Sequence, residues 1–108
     1  MRKFLDIDKT IEVILYISYS TQDLFHIMKI FYFADKFHLE GYGRLISGDN
    51  YIAMDDGPVP SGAYDLIKHV RGDGFLVPGA EPELAFIVEG RTTVAPIREV
   101  NLEYLSEI

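Results

Sequence analysis

Four carboxylates near the middle of the chain, Asp35, Asp49, Asp55 and Asp56, are the side chains best equipped for chemistry. Paired acids perform general acid and base work or hold a hard cation. The same residues also have plainer uses. Asp49 ends a Ser47-Gly48-Asp49 turn, Asp55-Asp56 precedes a glycine bend, and Arg44 offers a countercharge to Asp35 or Asp49. The residue types therefore favour structural or partner-binding roles over an active site.

Other routes to catalysis are poorly supplied. His26, His38 and His69 form no i, i+4 ligand pair, and His38-Leu39-Glu40 is not a zinc motif. His26 is expected as a hydrogen-bonded histidine in or beside the core, and His69 as a favourable partner of a helix end. With no cysteine, disulfides and thiolate metal sites are excluded. No serine sits in a G-x-S-x-G elbow, and Gly41-Tyr42-Gly43 has too few glycines at the wrong spacing to cradle phosphate. No catalytic residue, metal or cofactor is expected.

The elements that position these residues follow from caps and periodicity. A first helix is predicted from Asp8, as its cap, to about Ser18, with Ile11, Ile14, Leu15 and Ser18 on one face. Ser20-Thr21-Gln22-Asp23 reads as a capping box opening the longest helix, which should run to about Leu39. Apolar nearly all round, that helix is expected to be the central buried one. On it, Tyr32 and Asp35 place a hydroxyl and a carboxylate one turn apart, suited to tying the following loop to the helix.

Gly41 and Gly43 stop the helix, and Asn50 to Met54 alternates as a short strand. The Gly57-Pro58-Val59-Pro60 run cannot extend that strand far, and Ser61 is expected to cap a helix carrying Ala63, Leu66, Ile67 and Val70, closed by Arg71-Gly72. Arg71 to Pro82 reads as a loop with a possible strand at Phe75-Leu76-Val77. Leu84 to Val88 and Thr92 to Ala95 flank a Glu89-Gly90-Arg91 hairpin turn. Leu105-Ser106 reads as the cap and first turn of a further helix. The sum is an α+β fold, a mostly helical single domain spanning 1–108 with a small antiparallel sheet or hairpin.

The stretch from Tyr32 to Asp65 carries more than local signals. In order and without gaps it presents Tyr32-Phe33-Ala34-Asp35, Gly43-Arg44 with Ile46, Ser47-Gly48-Asp49 with Tyr51 and Ala53, Gly57-Pro58-Val59-Pro60-Ser61-Gly62, and Tyr64-Asp65. This series resembles the Panacea domain, the SocA-like antitoxin family of phage-associated proteins. The resemblance implies a protein-binding role: an antitoxin that neutralises a cognate protein toxin encoded beside it. An adaptor that delivers a bound partner to a protease is the alternative, and an acid- or metal-dependent enzyme comes third. The resemblance also implies further helical sequence after Leu105-Ser106, so the domain is expected either to be truncated at its C-terminus or to compensate for that part through a partner. Within the segment, Tyr42, Arg44, Asp49, Tyr51, Asp55 and Asp56 are the partner-contact candidates, with Tyr64 as a further residue of hot-spot type; for Tyr51 and Tyr64 support of the fold itself is the favoured role.

Charge sets the choice of partner. Ten basic residues against seventeen acidic give a net charge of −7, which opposes nonspecific attraction to nucleic acid or anionic lipid. No basic stripe offsets this, and an acidic surface suits a basic protein partner. Asp6, Asp8 and Glu12 interrupt every apolar run near the start, and no segment reaches the roughly 20 apolar residues of a membrane span. A cytoplasmic location, away from membranes, is the expectation.

Overall fold

The computed structural model describes residues 5–55, 57–73 and 80–106. Helix α1 (Ile7–Ser18) is capped by Asp6 rather than Asp8. The Asp6 side chain accepts from the Lys9 amide at 3.0 Å and its carbonyl receives Thr10, while its own N–H donates to the Ser47 carbonyl at 2.8 Å. That last bond fixes where the chain turns into the helix, and Asp8 is left in the first turn beside the positive end of the dipole.

Helix α2 (Leu24–Tyr42) starts on Asp23, whose carboxylate accepts from the Phe25 amide. The expected capping box is absent: Asp23 is itself the cap, and the Thr21 hydroxyl oxygen accepts from the Asp23 N–H. The helix runs three residues past Leu39 because Gly41 stays helical. Gly43, at φ 75°, makes the left-handed exit and donates to the Leu39 carbonyl.

Burial of α2 departs from the expectation of an all-round core helix. Leu24, Ile27, Met28 and Phe31 are buried, yet Phe25, Ile30, Phe33 and Phe37 are exposed, Phe37 to 78%. The helix packs on α1 and β2 from one side only, so its other face has no neighbouring layer among the described residues. His26 likewise lies on the surface, not beside the core, 3.9 Å from Asp23.

Strands β1 (Tyr51–Met54) and β2 (Gly57–Pro60) form an antiparallel hairpin in the register Tyr51 to Pro60 and Met54 to Gly57. The double-proline run is thus a strand in its own right. Pro58 and Pro60 fall on alternate positions, which leaves Gly57 and Val59 as the ladder donors and puts the prolines where no donor is required. Helix α3 (Ser61–Arg71) follows directly and ends at Gly72, φ 97°, with Lys68, His69 and Arg71 in its last turn as the dipole favours.

After a short 3-10 turn at Pro82–Leu84, β3 (Phe86–Glu89) and β4 (Thr93–Pro96) pair antiparallel around Gly90 at φ 61°. This second hairpin grips the α1–α2 connection: Leu24 N–H donates to the Thr92 carbonyl and Val94 N–H to the Gln22 carbonyl, both at 2.8 Å. The possible strand at Phe75-Leu76-Val77 lies outside the described residues.

Helix α4 (Leu102–Ser106) returns to α1, with the Asn101 side chain accepting from Glu103 N–H. Ser106 therefore ends the described helix instead of capping one. The Glu12 carboxylate, buried on α1, accepts both Arg98 guanidinium nitrogens and the Asn101 amide, which fastens this return. One core joins α1, α2, α3 and the second hairpin through Ile14, Leu15, Ile27, Phe31, Leu66, Ile67, Phe86 and Val94. The fold is α+β: mostly helical, with two small antiparallel hairpins.

Candidate partner-binding surface

The connection between α2 and α3 is held from inside by two carboxylates. Asp35, 1% exposed, accepts from the Ile46 amide at 2.8 Å and from the Tyr51 hydroxyl. A buried carboxylate is stable only when its oxygens are hydrogen-bonded, and here an amide and a phenol serve where Arg44 was the expected countercharge. Burial, reinforced by the hydrogen bond and charge of Asp35, pushes the Tyr51 phenol up, so it stays protonated and donates. The Tyr51 ring also meets Tyr32 edge-on at 5.4 Å. Asp35 thus ties the loop to the helix as its position suggested, while Tyr32 contributes its ring.

Asp49, 5% exposed, closes the second half of the connection. Its Oδ1 accepts from the Asn50 and Gly62 amides at 2.7 Å each, and its Oδ2 accepts from Ala63 at 2.9 Å. Two of these are the orphan amides of the first turn of α3, so a residue from the preceding loop caps the helix. Pro60 occupies the cap position without a side-chain bond of its own, and the Ser61 hydroxyl, expected to cap, donates to the Asn50 carbonyl instead. Gly62 makes room: a Cβ there would fall 2.9 Å from Asp49 Oδ1 and 2.5 Å from Leu5 Cδ2.

Burial raises the Asp49 carboxyl above its ordinary 3.8; the amides of Gly62, Ala63 and Asn50 oppose this, and the charge of Asp35 adds to it. A raised folded-state value means the native protein keeps a proton that the unfolded chain has already released. This contribution is fully present below 3.8 and is lost as pH rises through the raised value. The stability of the wild type relative to Asp49→Asn is expected to be greatest below 3.8 and to fall as pH rises through the raised value. Urea denaturation of both proteins on either side of that value checks it, and a constant difference would refute it.

His38 is the anchor that sequence reasoning did not assign. Buried one turn after Asp35, its Nδ1 lies 2.7 Å from the Arg44 carbonyl. A carbonyl only accepts, so Nδ1 carries the hydrogen of this contact; among the described residues His38 Nε2 and Ser47 Oγ are buried without a partner. The signal was in the helix wheel, where Asp35 and His38 share the core-facing side of α2 with Phe31.

The candidate contact residues divide by position. Tyr42 is 69% exposed, its ring 4.7 Å from the His38 ring; Arg44 is exposed and forms no ion pair among the described residues; Asp55 is exposed in the β1–β2 turn. Asp49 and Tyr51 are the internal ties just described, Tyr64 is half-buried under the Lys68 ammonium at 4.8 Å, and Asp56 lies outside the described residues. Asp35 and Asp49 are close enough to repel one another, whereas Asp55 stands apart on the surface. Among the described residues no three His, Cys, Asp or Glu side chains are grouped to hold a metal ion, and no helix is long and apolar enough to cross a membrane.

No curated protein and no solved structure matched the chain. A family model, described as antitoxin SocA-like, Panacea domain, did match, over residues 27–76. Those residues take in most of α2, both internal ties, the β1–β2 hairpin and all of α3. The resemblance read from the ordered series of motifs therefore holds: over residues 27–76 the chain carries the SocA-like, Panacea antitoxin signature.

Proposed function

We propose that the protein is a cytoplasmic antitoxin, acting as one domain, that neutralises a cognate protein toxin by binding it at the end of α2 and the loop beyond. The observation that carries this reading is the contrast within one connection. Asp35, His38 and Asp49 pin the backbone from inside, while Tyr42, Arg44 and Asp55 project outward. A surface ordered before contact loses little conformational entropy on binding, which favours affinity. Tyrosine and arginine are among the residues that most often dominate interfaces. In this reading Asp49 and Tyr51 serve the interface by fixing the loop, and Asp56 is a further acidic contact candidate by sequence alone.

Nanomolar silencing of a toxin corresponds to about 12 kcal/mol, commonly over about 1,600 Å² of interface. Two anchors at about 2 kcal/mol each would supply a substantial part. The test is co-purification with the product of the neighbouring small reading frame in mild salt, followed by calorimetry. Tyr42→Ala and Arg44→Ala are each expected to weaken binding about 30-fold without changing the circular dichroism spectrum. Failure of the pair to co-elute, or unchanged affinity in both variants, counts against the reading; loss of the bound partner on adding protease and ATP would assign an adaptor role instead.

A further inference from the structure

Strand β1 lies at the edge of its sheet, and the register decides which of its backbone groups look outward. Pro58 and Pro60 stand opposite Ala53 and Tyr51, and proline has no N–H, so these pairs exchange no ladder bonds. The inward bonds belong to Ile52 and Met54, and the Ser61 N–H on the Asn50 carbonyl continues that alternation past the strand. Tyr51 and Ala53 are left with their N–H and C=O groups on the open side, where nothing among the described residues bonds to them.

Sheets commonly guard such an edge with lysine, proline or a bulge. β2 is guarded, because its two prolines offer no donor. β4 is closed by Gln22 and Leu24, which bond to Val94 and Thr92. β1 has neither device: Tyr51-Ile52-Ala53-Met54 carries no charge and no proline, and Ile52 and Met54 are each 45% exposed. The Tyr51 ring meets Tyr32 at 5.4 Å and Tyr32 meets Phe33 at 5.4 Å, so an aromatic row leads from the strand to the exposed Phe33 on α2.

We propose that β1 receives an extended segment of the toxin as a third strand, which takes up the free donors and acceptors of Tyr51 and Ala53. The identity of the partner rests on the antitoxin reading above. Extended backbone offers its groups at the two-residue repeat that Tyr51 and Ala53 present, whereas a helix has spent its own internally, so the occupant is a strand. The residue paired with Tyr51 points to the same face as the Tyr51 ring, towards Tyr32, and is apolar. Asp55 stands exposed where β1 ends, and the chain carries a net charge of −7, so basic residues alternate with the apolar ones. The same charge opposes pairing of β1 with a second copy of the chain.

Amide exchange followed residue by residue by NMR tests this, on the chain alone and on the chain saturated with the product of the neighbouring reading frame. The Tyr51 and Ala53 amides are expected to slow about 100-fold in the complex, while Ile52 and Met54, already bonded to β2, change little. Ala53→Pro removes the outward N–H without touching the ladder and is expected to weaken binding about 10-fold, whereas Ala53→Ser keeps the N–H and leaves binding unchanged. Asp55→Lys is expected to weaken it about 10-fold at low salt. Circular dichroism reports the fold of each variant, and the wild-type exchange pattern decides the matter if Ala53→Pro fails to fold. A partner that binds while Tyr51 and Ala53 exchange as in the free chain overturns this inference and leaves the antitoxin reading standing; a partner that does not bind overturns both. Protection of these two amides in the chain alone, growing with its concentration, would make a second copy the occupant and overturn the inference as well.

Discussion

Asp49→Ala is expected to destabilise the protein by about 3 kcal/mol, seen as a fall in Tm of about 12 °C or more for a domain of this size. Three amides lose one acceptor together, and the Ala63 amide is buried and the Gly62 amide half-buried, so water replaces it only in part. Loss of an ordinary exposed cap costs about 1 kcal/mol, so the excess measures the burial of this one. Calorimetric unfolding checks the effect, and a loss near 1 kcal/mol would mean that water enters the first turn of α3. Because the cap comes from the loop, the same change should free Asn50 and loosen the start of β1, visible as faster amide exchange there.

The second large effect is expected at Asp35. Asp35→Ala strips acceptors from the half-buried Ile46 amide and the Tyr51 hydroxyl at once and is expected to lose about 3 kcal/mol. Tyr51→Phe alone should lose about 1.5 kcal/mol, since it leaves the carboxylate with the Ile46 amide but without its phenol. The double variant should cost less than the sum by about 1 kcal/mol, the coupling of residues in direct contact. Chemical denaturation of the four proteins completes the cycle. Strict additivity would show that the short contact contributes nothing to stability.

Much of the fold was legible because local chemistry and tertiary need agree. Gly43, Gly72 and Gly90 stand where the backbone turns left-handed, and the helices and second hairpin end there as the sequence indicates. Disagreements arose where a distant group took over a local task. Asp6 displaced Asp8 as the first cap because its N–H is also held by Ser47, and Ser61 lost its expected role to the carboxylate of Asp49, earlier in the chain. The double-proline run reads locally as a break, and only pairing with β1 reveals a strand whose missing donors fall on the side that does not use them.

The candidate surface was legible in part for the same reason. Asp35 sits on a helix one turn from an aromatic, so its reach toward the following loop followed from geometry. The part played by Asp49 depended on where α3 begins in space, which periodicity does not encode. On α2, the apolar pattern told which residues are hydrophobic but not which sides have neighbours. Ile30, Phe33 and Phe37 read as core until the layers were placed.

The grip of the second hairpin on the α1–α2 connection bears on how the chain assembles. Leu24 and Thr92 stand about 70 positions apart, so their bond encloses the whole of the family segment in one closed circuit of backbone. Such a long-range closure forms slowly compared with helices, and the last steps of assembly are expected to be the docking of β4 beside Gln22 and Asp23. Cutting out residues 27–76 alone would open that circuit and remove α1 from beneath Phe31, so the piece that carries the signature is not a piece that stands by itself.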